Sequence, residues 1–199
     1  MSYISVENLS FSYDNEPVLE NISFTVEPGE FVILTGENGA AKSTLLKNIL
    51  GLLTPKQGKA TIATVNTQGE TLSIGYAPQQ ISSFNVGFPS TVYELVASGR
   101  YQQGRWFQRL DKEDHEHIER ALKSVGMWDE RHKRIGELSG GQKQRICLAR
   151  IFATDPDLFV LDEPTAVLTE DEAEILLETM KKLSAKGIAI IFITHRLNE

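Results

Sequence analysis

Cysteine is almost missing from this chain. Cys147 is the only one in 199 residues, so no internal disulfide can form, and a reducing cytoplasm suits it. No apolar run approaches the roughly 20 residues that a membrane span requires. The opening residues, Met-Ser-Tyr-Ile-Ser-Val-Glu, hold neither the basic stretch nor the apolar core of an export signal. Positive charge is in deficit as well. Lys and Arg number 20 against 27 Asp and Glu, and the formal net charge of −7 argues against broad nucleic-acid binding. What remains is a cytosolic chain of ordinary globular make-up, 41% hydrophobic and 24% charged, long enough to bury a real core.

The chain is organised around Gly36, Glu37, Asn38, Gly39, Ala40, Ala41, Lys42, Ser43 and Thr44. An apolar run (31–34) precedes this stretch and an amphipathic run (45–50) follows it, ending at Gly51. Strand, glycine-bearing turn and helix in that order predict a phosphate-binding loop. Backbone N–H groups surround the phosphate oxygens, and the helix N-terminus adds its partial positive charge. Lys42 is expected to reach the β- and γ-phosphates, and the Ser43 hydroxyl to ligate Mg²⁺. Ala41 stands where the pattern has glycine.

Residues 4–11 alternate loosely and predict an edge strand, followed by a turn over 13–17 and a second strand over 21–26. The face of Tyr13 can stack on a purine or pack under the turn. A strand is expected over 59–65, a hairpin turn over 66–70, and a short strand ending in the loop that carries Gln79. From Thr91 the pattern turns helical: a short helix, then an amphipathic one over 111–125 with Asp111 as N-cap. Between them Arg100, Arg105 and Arg109 interleave with Tyr101, Trp106 and Phe107. Nucleic-acid stacking is one reading of that run; with the chain at −7, a packing or partner-facing surface is favoured.

Ser139, Gly140, Gly141 and Gln142 open the next helix and offer a second anion site, Ser139 being its N-cap. The apolar run 158–161 ends in Asp162 and Glu163, as a buried parallel strand does where ligand chemistry sits. Asp162 is placed to hold Mg²⁺ opposite Ser43, and Glu163 to polarise the water that attacks a γ-phosphate. A helix over 170–184 and a strand over 188–193 lead to His195.

In this order the motifs closely resemble the ATPase subunit of ATP-binding cassette (ABC) transporters, over the whole chain; the Ser-Gly-Gly-Gln segment after a helical insertion is the most specific of them. The resemblance implies an α/β fold: a P-loop NTPase core, mostly parallel with an antiparallel β-subdomain (1–88 and 154–199), and an inserted α-helical subdomain (89–153). It also implies ATP and Mg²⁺ as cofactors. Tyr13 would stack on adenine. Gln79 would contact Mg²⁺ and the attacking water and couple the site to a membrane permease. Ser139, Gly140, Gly141 and Gln142 would bind the γ-phosphate of ATP held by the opposite subunit of a head-to-tail homodimer. His195 would contact the γ-phosphate within its own subunit. The expected localisation is the inner face of the cell membrane, through the permease.

Within the family, the stretch from Ile81 to Val92, then Ser98-Gly99-Arg100, is similar to bacterial zinc or manganese importers, and Trp128-Asp129-Glu130-Arg131-His132 to zinc importers in particular. Such a system includes an external solute-binding protein, which with the membrane subunits would hold the metal. His115, His117 and His132 are read as ordinary surface histidines. Thr169 stands where the family usually has an aspartate that links the two ATP sites, and family members usually continue for several elements past His195, so a C-terminally truncated cassette is expected. Two other readings stay open: an ATP-binding regulatory module with weak hydrolysis, and a soluble non-transport ABC ATPase.

Overall fold

A computed structural model describes residues 1–14, 16–37, 39–78, 89–101, 109–165 and 168–195. The chain divides into two compact units, 1–74 with 157–163 and 183–199, and 75–156 with 164–182.

The first unit holds two sheets. One is antiparallel, with β1 (Ile4–Tyr13) flanked by β2 (Glu16–Val26) and, after β3 (Phe31–Thr35), by β4 (Gln57–Ile62). The first strand was expected at an edge, yet it is central: Ile4 pairs with Val26 on one side and with Ile62 on the other. Its loose alternation has a local cause. Asn8 sits at φ 47°, and the register shifts between Val6 and Leu9. That bulge changes the parity of the strand, so Ile4, Val6, Leu9 and Phe11 are all buried although their spacing is uneven.

The other sheet of this unit aligns β3, β7 (Ala189–Thr194) and β6 (Leu158–Asp162) in parallel, with β7 in the middle. Every residue of β6 and β7 is buried, the property that makes parallel strands read as unbroken apolar runs. Register levels the strand ends: Thr35 lies opposite Thr194, and Asp162 opposite Ile193. The segments leaving those ends carry the phosphate loop, Glu163 and His195. Helix α1 (Lys42–Ile49) leaves the loop, burying Leu45, Leu46 and Ile49. The strand β5 (Ile74–Ala77) begins at the last residue of the first segment of this unit.

In the second unit α2 (Val92–Ala97), α3 (Lys112–Ser124) and α4 (Gly140–Phe152) pack on one another, with Val96, Ile118, Leu122, Ile146 and Leu148 fully buried. All three begin with a reciprocal capping box, Thr91 with Glu94, Asp111 with Asp114, and Ser139 with Gln142. A Cβ on Gly99 would meet the Arg150 carbonyl oxygen at 2.4 Å, so only glycine permits this approach to α4. Helix α5 (Glu170–Ser184) follows, its residues through Lys182 in this unit. His117 departs from expectation. It is buried beside Ile118 and Ala121, with Nδ1 3.1 Å from Arg120 Nη2. Helical spacing puts it on the same face as Asp114 and Ala121, whereas His115 and His132 are exposed. Among the described residues no helix is long and apolar enough to cross a membrane.

Candidate functional site

The phosphate loop is shaped by backbone conformation. Gly39 has φ 90°, a region that L side chains rarely adopt. Ala41 has φ 58° and ψ 19°, left-handed, and is the N-cap of α1 with no side-chain cap hydrogen bond. Here the glycine of the usual pattern would cost nothing sterically, and the alanine Cβ costs about 1 kcal/mol. The helix nonetheless starts normally, since the Leu45 N–H donates to the Ala41 carbonyl at 2.9 Å. The first-turn N–H groups of such a helix find no acceptor within it and face an incoming anion.

Lys42 curls back over its own loop, with Nζ donating to the carbonyls of Gly36 at 2.7 Å and Glu37 at 2.9 Å. Those contacts hold the ammonium where a phosphate oxygen can take it over. Ser43 Oγ donates to Asp162 Oδ1 at 3.2 Å, a bond between residues 119 apart in sequence. Asp162 is 5% exposed, and burial raises its carboxyl above the usual range. The charge of Glu163 adds to that rise; the Ser43 hydrogen bond, Lys47 and Lys42 oppose it. Lys47 was not anticipated. The signal was its place one turn after Ser43, on the same face of α1.

Glu163 is 7% exposed, and its N–H donates to the Ile193 carbonyl at 3.0 Å, prolonging the pairing of β6 with β7. Its φ of 50° is left-handed for a non-glycine residue, a conformation that costs about 1–2 kcal/mol and turns the chain sharply at the strand end. His195 Nδ1 stands 3.4 Å from Glu163 Oε2. Of the expected site residues in this unit, the structure therefore brings Lys42 to its loop carbonyls, Ser43 to Asp162, and Glu163 to His195. Tyr13 ends β1, 48% exposed, with its ring edge-to-face on Phe11 at a centroid distance of 4.9 Å. Asn38 and Gln79 lie outside the described residues, as do residues 81–88 and 102–108 with the importer-like and aromatic–basic stretches.

In the second unit the Ser139 N–H donates to Gln142 Oε1 at 3.0 Å, and the Gln142 N–H donates to Ser139 Oγ at 3.2 Å. Ser139 and Gln142 thus satisfy each other, and a Cβ on Gly140 would meet nothing within 4 Å. The side chains close the cap while the glycines leave the first turn uncovered.

A parallel sheet whose strand ends carry a phosphate loop, a part-buried Ser–Asp pair and a Glu–His pair defines a P-loop nucleoside triphosphatase. A family model described as ABC transporter matches residues 19–166, and the chain belongs to the ABC transporter family, whose ATP-binding subunits are ATPases. It is 58% identical over 196 residues to the zinc transport system ATP-binding protein AdcC of Streptococcus pneumoniae (strain ATCC BAA-255 / R6), covering 98% of this chain and 84% of that protein. It is 53% identical over 200 residues to the high-affinity zinc uptake system ATP-binding protein ZnuC of Bacillus subtilis (strain 168), covering 100% and 87%. Among solved structures, an inward-facing ABC transporter superposes with a TM-score of 0.79 at 32% identity, covering 98% of this chain and 73% of that one.

Proposed function

We propose that this ATPase powers import of a divalent metal ion, zinc, through a membrane permease, with Glu163 as the hydrolytic carboxylate. The juxtaposition that carries the catalytic part is the part-buried Ser43–Asp162 pair beside the Glu163–His195 pair. The likeness to two zinc-uptake ATP-binding proteins carries the choice of cargo.

ATP enters the loop with its phosphates against the first turn of α1, and Lys42 exchanges the Gly36 and Glu37 carbonyls for β- and γ-phosphate oxygens. Tyr13 offers its exposed ring to the adenine. Ser43 and Asp162, two hard oxygen donors 3.2 Å apart, fit Mg²⁺, with Gln79 as a further ligand. When bound, that ion supplies neutralisation of charge on the phosphates. Glu163 accepts a proton from the water as its oxygen attacks the γ-phosphorus, and the bond to the β-phosphate oxygen breaks. His195, in contact with Glu163, orients the γ-phosphate.

Gly140 and Gly141, with Ser139 and Gln142, read the γ-phosphate bound to a second copy in a head-to-tail dimer, which closes on ATP and reopens when the γ-phosphate leaves. Gln79 couples that cycle to the permease, and an external solute-binding protein delivers the zinc. The assembly works at the inner face of the cell membrane.

The test is complementation. In a bacterium lacking its own zinc-importer ATPase, this chain and its permease should restore growth under zinc chelation, and Glu163→Gln should not. Restoration under manganese limitation but not zinc limitation would overturn the choice of metal.

A further inference from the structure

We propose that Lys56 is a positioning residue for Tyr13: from beside β1, it braces the strand end that presents the tyrosine ring to adenine. The inference rests on Tyr13 stacking on the base as proposed above. Both residues belong to the first compact unit, whose antiparallel sheet places β1 between β2 and β4. Lys56 immediately precedes β4 and holds β1 on either side of Tyr13. Its backbone N–H donates to the Ser10 carbonyl at 2.9 Å, and its Nζ donates to the Asp14 carbonyl.

A neighbouring lysine shows how unusual that aim is. Lys59 does what surface lysines ordinarily do, pairing its ammonium with the Glu7 carboxylate at 3.3 Å. Lys56 directs its charge at a main-chain oxygen instead, which fixes the course of the chain rather than a side chain. The β1–β4 ladder ends with Ser10 opposite Gln57, and the Lys56 ammonium carries the contact onward from Ser10 to Asp14. Close approach at this corner depends on Gly58, at φ 72°. A Cβ there would meet the carbonyl oxygens of Glu7 and Asn8 at 2.3 Å.

The end of β1 needs a brace because Asp14, directly after Tyr13, is left-handed at φ 50°. A strained residue holds its conformation only when its surroundings over-determine it. On the β2 side pairing does this, with Tyr13 opposite Glu16 and the Asn21 N–H donating to Ser10 Oγ at 2.9 Å. On the β4 side Lys56 does it. The Tyr13 ring meets that of buried Phe11 edge-to-face, which sets its tilt, while the brace sets where its Cα stands. A stacking platform needs both, since a base gains contact only when position and plane agree. Lys56 and Tyr13 are exposed, and a hydrogen bond in water adds little to stability, so its effect should be read on the base.

The experiment displaces a fluorescent ATP analogue from the purified full chain with MgATP and with magnesium tripolyphosphate, which carries phosphates but no base. Tyr13→Ala should weaken MgATP about tenfold and tripolyphosphate by less than about twofold. Lys56→Met should weaken MgATP about fourfold, again with tripolyphosphate within about twofold of wild type. Lys56→Arg keeps a charged donor and should stay within about twofold of wild type for both. Tyr13→Ala combined with Lys56→Met should bind MgATP within about twofold of Tyr13→Ala alone, because the brace then has no ring to present. Wild-type MgATP affinity in Lys56→Met, an equal loss with tripolyphosphate, or losses that multiply in the double variant would overturn the brace. Tyr13→Ala reports separately on the reading beneath it. A weakened Tyr13→Ala beside a Lys56→Met of wild-type affinity overturns the brace alone, and a Tyr13→Ala that binds MgATP as wild type does overturns both.

Discussion

Two helix starts in this molecule meet the same need by opposite means. Helix α1 begins at Ala41, left-handed and without a side-chain cap, whereas α4 begins at Ser139, whose hydroxyl and backbone are both engaged by Gln142. A helix start without a side-chain cap suits an anion that supplies the missing acceptor itself, so α1 is built to be completed by the phosphates of ATP. A start that its own side chains already close is stable before any ligand arrives, and only its glycines remain for a second anion. The first start is incomplete without nucleotide; the second is a finished helix with a polar, glycine-lined face. In the mechanism proposed above, that difference matches a binding role for α1 and a sensing role for α4.

The largest effect should come from the side where binding resides. Lys42→Ala removes the one ammonium that the loop holds ready and should reduce ATP hydrolysis about 100-fold or more, with nucleotide affinity falling alongside. Fluorescent-nucleotide titration and phosphate release check both. If Lys42→Ala bound ATP as wild type does, the contrast between a binding start and a sensing start would collapse.

Much of this was legible in the chain itself, for particular reasons. Parallel strands such as β6 are buried on both faces, so an apolar run ending in Asp162 and Glu163 announces both the strand and the end at which chemistry lies. Helix α5 was bounded correctly at 170 and 184, because its apolar stripe keeps a helical period and Lys186-Gly187 ends it. The Ser43–Asp162 pairing followed from motif order. The sequence hid what depends on parity or on distant partners. A bulge at Asn8 disguised a central strand as an edge. His117 looked like a solvated residue because its neighbours in sequence are charged, yet it is buried, with Glu113, Arg120 and Asp155 arranged around its ring nitrogens. Gln144 carried a faint signal, a polar residue on a face shared with Leu148, but its partner Pro164 lies 20 residues away across a strand.

A matched pair of cap variants should give smaller, opposed effects. Ser139→Ala removes the hydroxyl that accepts the Gln142 N–H and should cost about 1 kcal/mol, lowering the melting temperature by about 2–4 °C while leaving nucleotide affinity of the isolated chain unchanged. Ala41→Gly should act the other way. It removes the left-handed Cβ, gives back part of that benefit through glycine's greater freedom when unfolded, and should raise the melting temperature by about 2 °C. Scanning calorimetry with and without ATP separates the two. If Ser139→Ala weakened ATP binding as strongly as Lys42→Ala, the helix starts would not divide the work.

The smallest effect lies at Asp162 and concerns the first unit before ligand arrives. Burial raises the carboxyl of Asp162, with Glu163 adding to the rise, so the folded chain prefers the protonated acid more than the unfolded chain does. For a raised carboxylate the stabilising contribution is complete below the unfolded value and is lost as pH climbs through the folded one. At neutral pH the ionised Asp162 therefore weighs against folding, and Asp162→Asn should raise the melting temperature of the nucleotide-free chain. That gain should shrink on acidification, as the native carboxyl takes up its proton and comes to resemble the amide. Melting curves from neutral to mildly acidic pH, without nucleotide or Mg²⁺, measure it. On the Mg²⁺ role proposed for Asp162, the same variant should lose its advantage once MgATP is added. A destabilised Asp162→Asn at neutral pH would show instead that the Ser43 hydrogen bond and the Lys42 and Lys47 charges outweigh burial, and that this side of the molecule is organised before its ligand after all.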